Sequence, residues 1–198
     1  MFKSNNKTKT LNFPHVLRIE PSAKCNLMCS HCPTGTIELG RDLMNEITFE
    51  NILKNLLDIK NLIKVIVLYH GGEPLLNKNF FSYVERIKKI KKNFFIKTVS
   101  NGTALTKSNI NKIFSSGLDA IEFSLDGISE NESQYVRINS DVKKIIINIK
   151  NLINEKYIRK SNLDITISST QFLRKKLDNI EEIPELKTPN WLKKLFSD

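Results

Sequence analysis

Three cysteines fall within eight residues, in the stretch Lys24-Cys-Asn-Leu-Met-Cys-Ser-His-Cys-Pro33, and the chain has no others. Cysteine thiolates are soft ligands, and they hold iron–sulfur clusters. A cubane cluster of four irons ordinarily takes four cysteines. Cys25, Cys29 and Cys32 would leave one iron without a protein ligand. That is the iron–sulfur counterpart of the open position in a catalytic zinc site, and it reads as a reaction site more than as an electron wire. A Cys3His zinc site using His31 competes with this reading, although neighbouring residues such as His31 and Cys32 rarely reach one tetrahedral ion together. A disulfide would leave one thiol over, and inert buried thiols are the remaining alternative.

The elements that must position these thiols alternate between short strands and amphipathic helices. Strand patterns cover Val16–Glu20, Ile63–Tyr69, Phe94–Val99, Ala120–Leu125 and Leu163–Ser168. Helical spacing covers Thr48–Ile59 with Thr48 as its cap, Phe80–Ile90, Ser108–Ser115 closed by Gly117, and Val142–Glu155. A further helix starts at Phe172–Leu177. Such alternation implies βαβ units and a parallel sheet, and parallel α/β folds bind ligands at the carboxyl ends of their strands. The cysteine loop, Gly71-Gly72-Glu73-Pro74, Ser100-Asn101-Gly102 and Ser124-Leu-Asp-Gly127 each follow an expected strand. One rim therefore collects them, although each alone is an ordinary turn signal.

The chain has 198 residues, 40% of them hydrophobic, enough for one domain with a real core. Its polar, basic start, Met1–Thr10, has no apolar run behind it, which argues against a secretory signal. No stretch approaches the roughly 18 apolar residues that span a bilayer. We therefore expect a cytoplasmic protein with reduced thiols and no membrane partner. The net charge is +10, but the lysines are spread along the polar faces of the expected helices in a chain also rich in Asn and Ile. A solvated surface explains them, and no nucleic-acid partner is expected.

With these segments in place the chain resembles the radical S-adenosylmethionine (SAM) superfamily. The Cys25-x3-Cys29-x2-Cys32 spacing is similar to that family's cluster motif, and Gly71-Gly72-Glu73-Pro74 to its second hallmark. Ser100-Asn101-Gly102-Thr103 and Phe123-Ser124-Leu125-Asp126-Gly127 resemble further segments of the branch that usually carries a cysteine-rich SPASM or twitch extension. The resemblance runs from Val16 to Thr170. It implies an α/β fold, a partial (β/α) barrel with parallel strands, and two cofactors, a [4Fe-4S] cluster and SAM. Cys25, Cys29 and Cys32 would ligate three irons, and the amino and carboxylate groups of SAM would chelate the fourth. Reductive cleavage of SAM would give methionine and a 5′-deoxyadenosyl radical, which abstracts hydrogen from a peptide or small-molecule substrate. A reductant such as flavodoxin or ferredoxin would supply the electron.

The same resemblance assigns roles to single residues. Gly71 and Gly72 would let the backbone approach the methionine moiety, and Glu73 would accept from its ammonium group. Ser124 would make a polar contact to the ribose or carboxylate, or else is a turn residue. Arg137 would meet the SAM carboxylate, or else is a solvated helix-end charge. His31 would flank the adenine, or else belongs to the loop. His70 would line the substrate side, or else is satisfied by backbone. Asp126 is read as shaping its turn.

Two departures set limits. The chain has no cysteine after Cys32, so it cannot ligate auxiliary clusters from its own thiols. Its alternation also runs out after the fifth strand, which implies a barrel short of six units. The expected organisation is an N-terminal extension at 1–14, a core at 15–172 and a C-terminal helical tail at 173–198. A glycyl-radical activase and a non-catalytic, cluster-binding partner subunit are the alternatives.

Overall fold

A computed structural model describes residues 14–38, 40–171 and 187–196. Its frame is a parallel sheet of five strands: β1 (Val16–Ile19), β3 (Val65–Leu68), β4 (Phe95–Ser100), β5 (Ala120–Ser124) and β7 (Asp164–Ser168), in the order β1-β3-β4-β5-β7. Each neighbouring pair runs parallel, so every connection must cross over. Helices α2 (Glu46–Ile59), α3 (Phe80–Ile90), α4 (Lys107–Ser115) and α6 (Val142–Ile158) provide the crossovers. This is the expected partial (β/α) barrel.

Side chains alternate along each strand. Ile66, Leu68, Ile96, Ile121 and Phe123 are fully buried in one core with Phe49, Phe80, Ile113 and Ile149 from the helices. The other face carries the alternate residues, among them Val67, Lys97, Glu122 and Thr166. There the Lys97 Nζ lies 2.5 Å from Glu122 Oε2. The apolar stripe of α3 is buried as its spacing predicts, with Phe80, Phe81, Val84 and Ile87 inward.

The five expected strands and the four expected helices between 48 and 155 stand, with shifted ends. Helix α2 starts earlier than expected, because Asn45 is its cap and accepts the Thr48 N–H at 2.8 Å. Thr48 therefore lies inside the first turn, and its own cap role is not observed. Thr106 caps α4 by accepting from Asn109 N. Gly117 follows the Ser116 cap with φ +87°, the left-handed geometry that ends helices without a Cβ penalty.

The pattern did not anticipate the small elements above the strand ends. These are β2 (Met28–Cys29), α1 (Pro33–Thr36), α5 (Glu130–Val136) and β6 (Arg137–Ile138). Helix α5 is only seven residues long and mostly polar, so its periodicity is faint. Ser129 caps it by accepting from Glu132 N. Strands β2 and β6 pair antiparallel, with Cys29 opposite Arg137. A last helix, α7 (Asn190–Phe196), buries Leu192. Its Trp191 Nε1 donates to the Gly127 carbonyl at 3.2 Å. The helix expected at Phe172–Leu177 lies outside the described residues. Among the described residues no helix is long and apolar enough to cross a membrane.

Candidate active site

The cysteine loop leaves the end of β1 and is stitched to the end of β3. Glu20 Oε1 accepts the Gly71 N–H at 2.7 Å, and the Lys24 carbonyl accepts the Glu73 N–H at 2.8 Å. Gly72 lies so close to this loop that a Cβ there would sit 2.2 Å from the Ser22 oxygen. Its missing side chain thus makes room for the chain's own backbone, a different use from the one expected. Cys32 N donates to the Cys29 oxygen at 3.0 Å, which closes a turn between these two thiols. Cys32 then precedes Pro33 at the start of α1, where the missing proline N–H costs nothing.

Nine of the ten residues expected at the site line one cavity of about 280 Å³. The three thiols are free and partly buried. Burial pushes the Cys25 thiol up, while a backbone hydrogen bond from Leu27 pulls it down. Burial likewise raises Cys29, and Arg137 opposes it. Glu73 is 1% exposed. Its Oε1 accepts from Leu75 N and Ser100 Oγ, and its Oε2 accepts from Asn101 N at 2.6 Å. Burial still holds its carboxyl above the ordinary range. A carboxylate has about four acceptor positions, so one is left for a donor in the cavity.

Arg137 is buried, not a solvated helix end. Its Nη1 donates to Asp126 Oδ2 at 2.8 Å, and both side chains are nearly inaccessible. Its Nε is buried without a hydrogen-bond partner among the described residues. An orphan buried donor costs about 1–3 kcal/mol, so this one calls for an acceptor such as a carboxylate. His31 lines the same wall, with Nε2 3.6 Å from Asp126 Oδ2. Ser124 sits at the end of β5 and faces the cavity. His70 is exposed and does not line it.

Sequence reasoning gave no role to Asn101, yet it joins the parts. Its Nδ2 donates to Asn26 Oδ1 at 2.9 Å and lies 3.7 Å from Cys25 Sγ. The Ser-Asn-Gly turn after β4 marked its position. Tyr69 and Thr170 also line the cavity, and only their place beyond strand ends points to them. Asp126 does more than shape a turn, since it partners Arg137 and accepts the Thr170 N–H.

The donor set fits an iron–sulfur cluster. Among the described residues, no three His, Cys, Asp or Glu side chains converge as ligands of one metal ion would. A cubane asks instead for one thiolate on each of three irons, and three separate thiols around one cavity suit it. Open acceptor and donor positions on Glu73 and Arg137 suit an amino acid moiety beside it.

A parallel α/β barrel with three thiols and a buried Glu and Arg at its strand ends is the class that fold and site define. The chain belongs to the radical SAM superfamily, whose model matches residues 19–186. Members of this family use a [4Fe-4S] cluster and SAM. A pre-heme d1 synthase of Dinoroseobacter shibae is 30% identical over 105 residues, which cover 53% of this chain and 25% of that protein. A GTP 3′,8-cyclase of Staphylococcus epidermidis is 33% identical over 132 residues, covering 64% and 38%. The chain thus spans between a quarter and two-fifths of the length of these relatives. Among solved structures, Streptococcus suis SuiB aligns with TM-score 0.60 at 17% identity, over 93% of this chain and 45% of that one. A structure of anSMEcpe with bound AdoMet aligns with TM-score 0.57 at 19% identity, over 93% and 60%. These two share the fold.

Proposed function

We propose that the chain acts as a radical SAM enzyme, which cleaves SAM reductively and removes a hydrogen atom from a peptide or small-molecule substrate. One observation carries this reading: three free thiols line a single cavity with Glu73, which has an unused acceptor position, and Arg137, which has an orphan donor. When bound, the cluster and SAM supply the electron transfer and the radical. The protein's own residues bind and orient. Cys25, Cys29 and Cys32 hold the irons. Glu73 accepts from the SAM ammonium, and Arg137 donates to the carboxylate. Ser124 faces the ribose side, and His31 offers a flat edge to the adenine. The buried setting of Glu73, Ser100 and Arg137 keeps water from competing for these contacts. The reductant is a partner protein of the flavodoxin or ferredoxin kind. A reducing cytoplasm suits free thiols.

The test is anaerobic reconstitution with iron and sulfide, followed by EPR with and without SAM and an assay for 5′-deoxyadenosine under dithionite. The expected result is a [4Fe-4S] signal that shifts with SAM, with deoxyadenosine formed and both lost in Cys29→Ala. Bound zinc with no cluster would overturn the reading. A cluster indifferent to SAM would favour a non-catalytic subunit.

A further inference from the structure

Asp126 and Arg137 are each 3% exposed. A buried ion pair is seldom kept for stability, because desolvating two charges offsets their attraction. The surroundings of this pair point to another use. Asp126 is fixed from behind: its Oδ1 accepts the Thr170 N–H at 3.0 Å. The carbonyl of the next residue, Gly127, accepts from Ser169 Oγ and Trp191 Nε1 at 3.2 Å each. Its carboxylate is therefore a rigid anchor joining the ends of β5 and β7.

Arg137 is held at its backbone as well, opposite Cys29 in the β2–β6 ladder. Its guanidinium, however, sits on a long and flexible side chain. Asp126 holds Nη1, while Glu73 attracts it across the cavity. Without Asp126, the guanidinium would lose its fixed place on the cavity wall.

We propose that Asp126 is a positioning residue: it pins the Arg137 guanidinium so that its unused donors meet the carboxylate of bound SAM. This rests on the SAM-binding reading above. Asp126 would act through Arg137. By holding Arg137, it also fixes the β6 side of the ladder that carries Cys29.

Two measurements test it, and only the second needs SAM. Asp126→Asn retains an oxygen for the Thr170 N–H but removes the charge. In the cluster-free protein, the Arg137 Nε–H resonance, assigned by its loss in Arg137→Lys, should be sharp in the wild type and broadened in Asp126→Asn. An unchanged resonance would overturn the proposal whatever SAM does. In reconstituted protein, Asp126→Asn should weaken SAM binding roughly 10-fold or more, the worth of one charge-assisted hydrogen bond. Affinity for decarboxylated SAM should stay within about twofold, because Arg137 has no carboxylate to meet there. Equal losses for both ligands would make Asp126 merely structural and overturn the proposal, as would no loss for either. A wild type that binds a cluster but not SAM would instead sink the functional reading, while the resonance still decides whether Asp126 holds Arg137.

Discussion

A methyl group on Gly72 would lie 2.2 Å from the Ser22 oxygen and 2.6 Å from that of Lys24, both backbone atoms. On Gly71 it would meet Thr34 Oγ1 at 3.2 Å and Glu20 Oε1 at 3.3 Å, the movable ends of side chains. The two glycines are adjacent, yet they should respond differently to the same change. Gly72→Ala must push the cysteine loop away from β3, at a cost of about 3 kcal/mol. Gly71→Ala should stay within about 1 kcal/mol. Thermal unfolding and iron content after reconstitution would check this, with both quantities reduced only in Gly72→Ala. The thiols make a second prediction. Burial holds Cys25 and Cys29 above the ordinary cysteine range, so at neutral pH they carry protons that iron must displace. Cluster assembly should therefore speed up from about pH 7 to about pH 9, as more thiolate becomes available. The growth of visible absorption during anaerobic reconstitution would show it, and a flat rate would contradict it.

Among the elements, the start of α2 shows how local a correct reading must be. Asn45 and Thr48 are both good cap residues three positions apart, but only Asn45 has extended backbone and accepts the orphan Thr48 N–H. Asn45→Ala should cost about 1 kcal/mol in chemical denaturation, and Thr48→Ala only a few tenths. Equal costs would refute the assignment. The strands were legible because their apolar residues alternate or run together between turn signals, as in Val65–Leu68 before Gly71-Gly72. The site was legible for a related reason: a parallel sheet gathers whatever follows its strands, so Cys25, Glu73 and Ser124 converge. What the pattern could not carry is pairing between segments. The Asp126–Arg137 bond joins a strand end to a helix end 11 residues on, through a short polar helix without clear periodicity. The Asn101–Asn26 bond spans 75 positions. Neither leaves a mark on local spacing.

At the scale of the whole molecule, two carboxylates, Glu73 beyond the end of β3 and Glu122 on β5, push its pH dependence in opposite directions. Burial raises Glu73 above the ordinary glutamate value of 4.5. Its favourable, protonated form is fully present below that value, and its contribution is lost as pH rises through the raised value. At neutral pH Glu73 thus costs stability, which agrees with the proposal that it meets a ligand's ammonium. For Glu122, burial also raises, but the Lys97 ion pair and a Ser168 hydrogen bond prevail and lower it below 4.5. Its contribution is present above the ordinary value and disappears as pH falls through the lowered one. The pair is partly open to solvent, with side chains 34% and 22% exposed, so its worth is at most about 1 kcal/mol. Acid also charges a chain that already carries +10, and this repulsion destabilises every variant alike. The informative quantity is therefore a difference. Wild type should exceed Glu122→Gln in unfolding free energy by up to about 1 kcal/mol at about pH 7. The gap should close as pH falls through the lowered value, where Glu122 becomes protonated in both folded and unfolded chains. A gap that survived unchanged into acid would mean that Glu122 acts by packing, leaving Lys97 as an unneeded charge on the face opposite the helices.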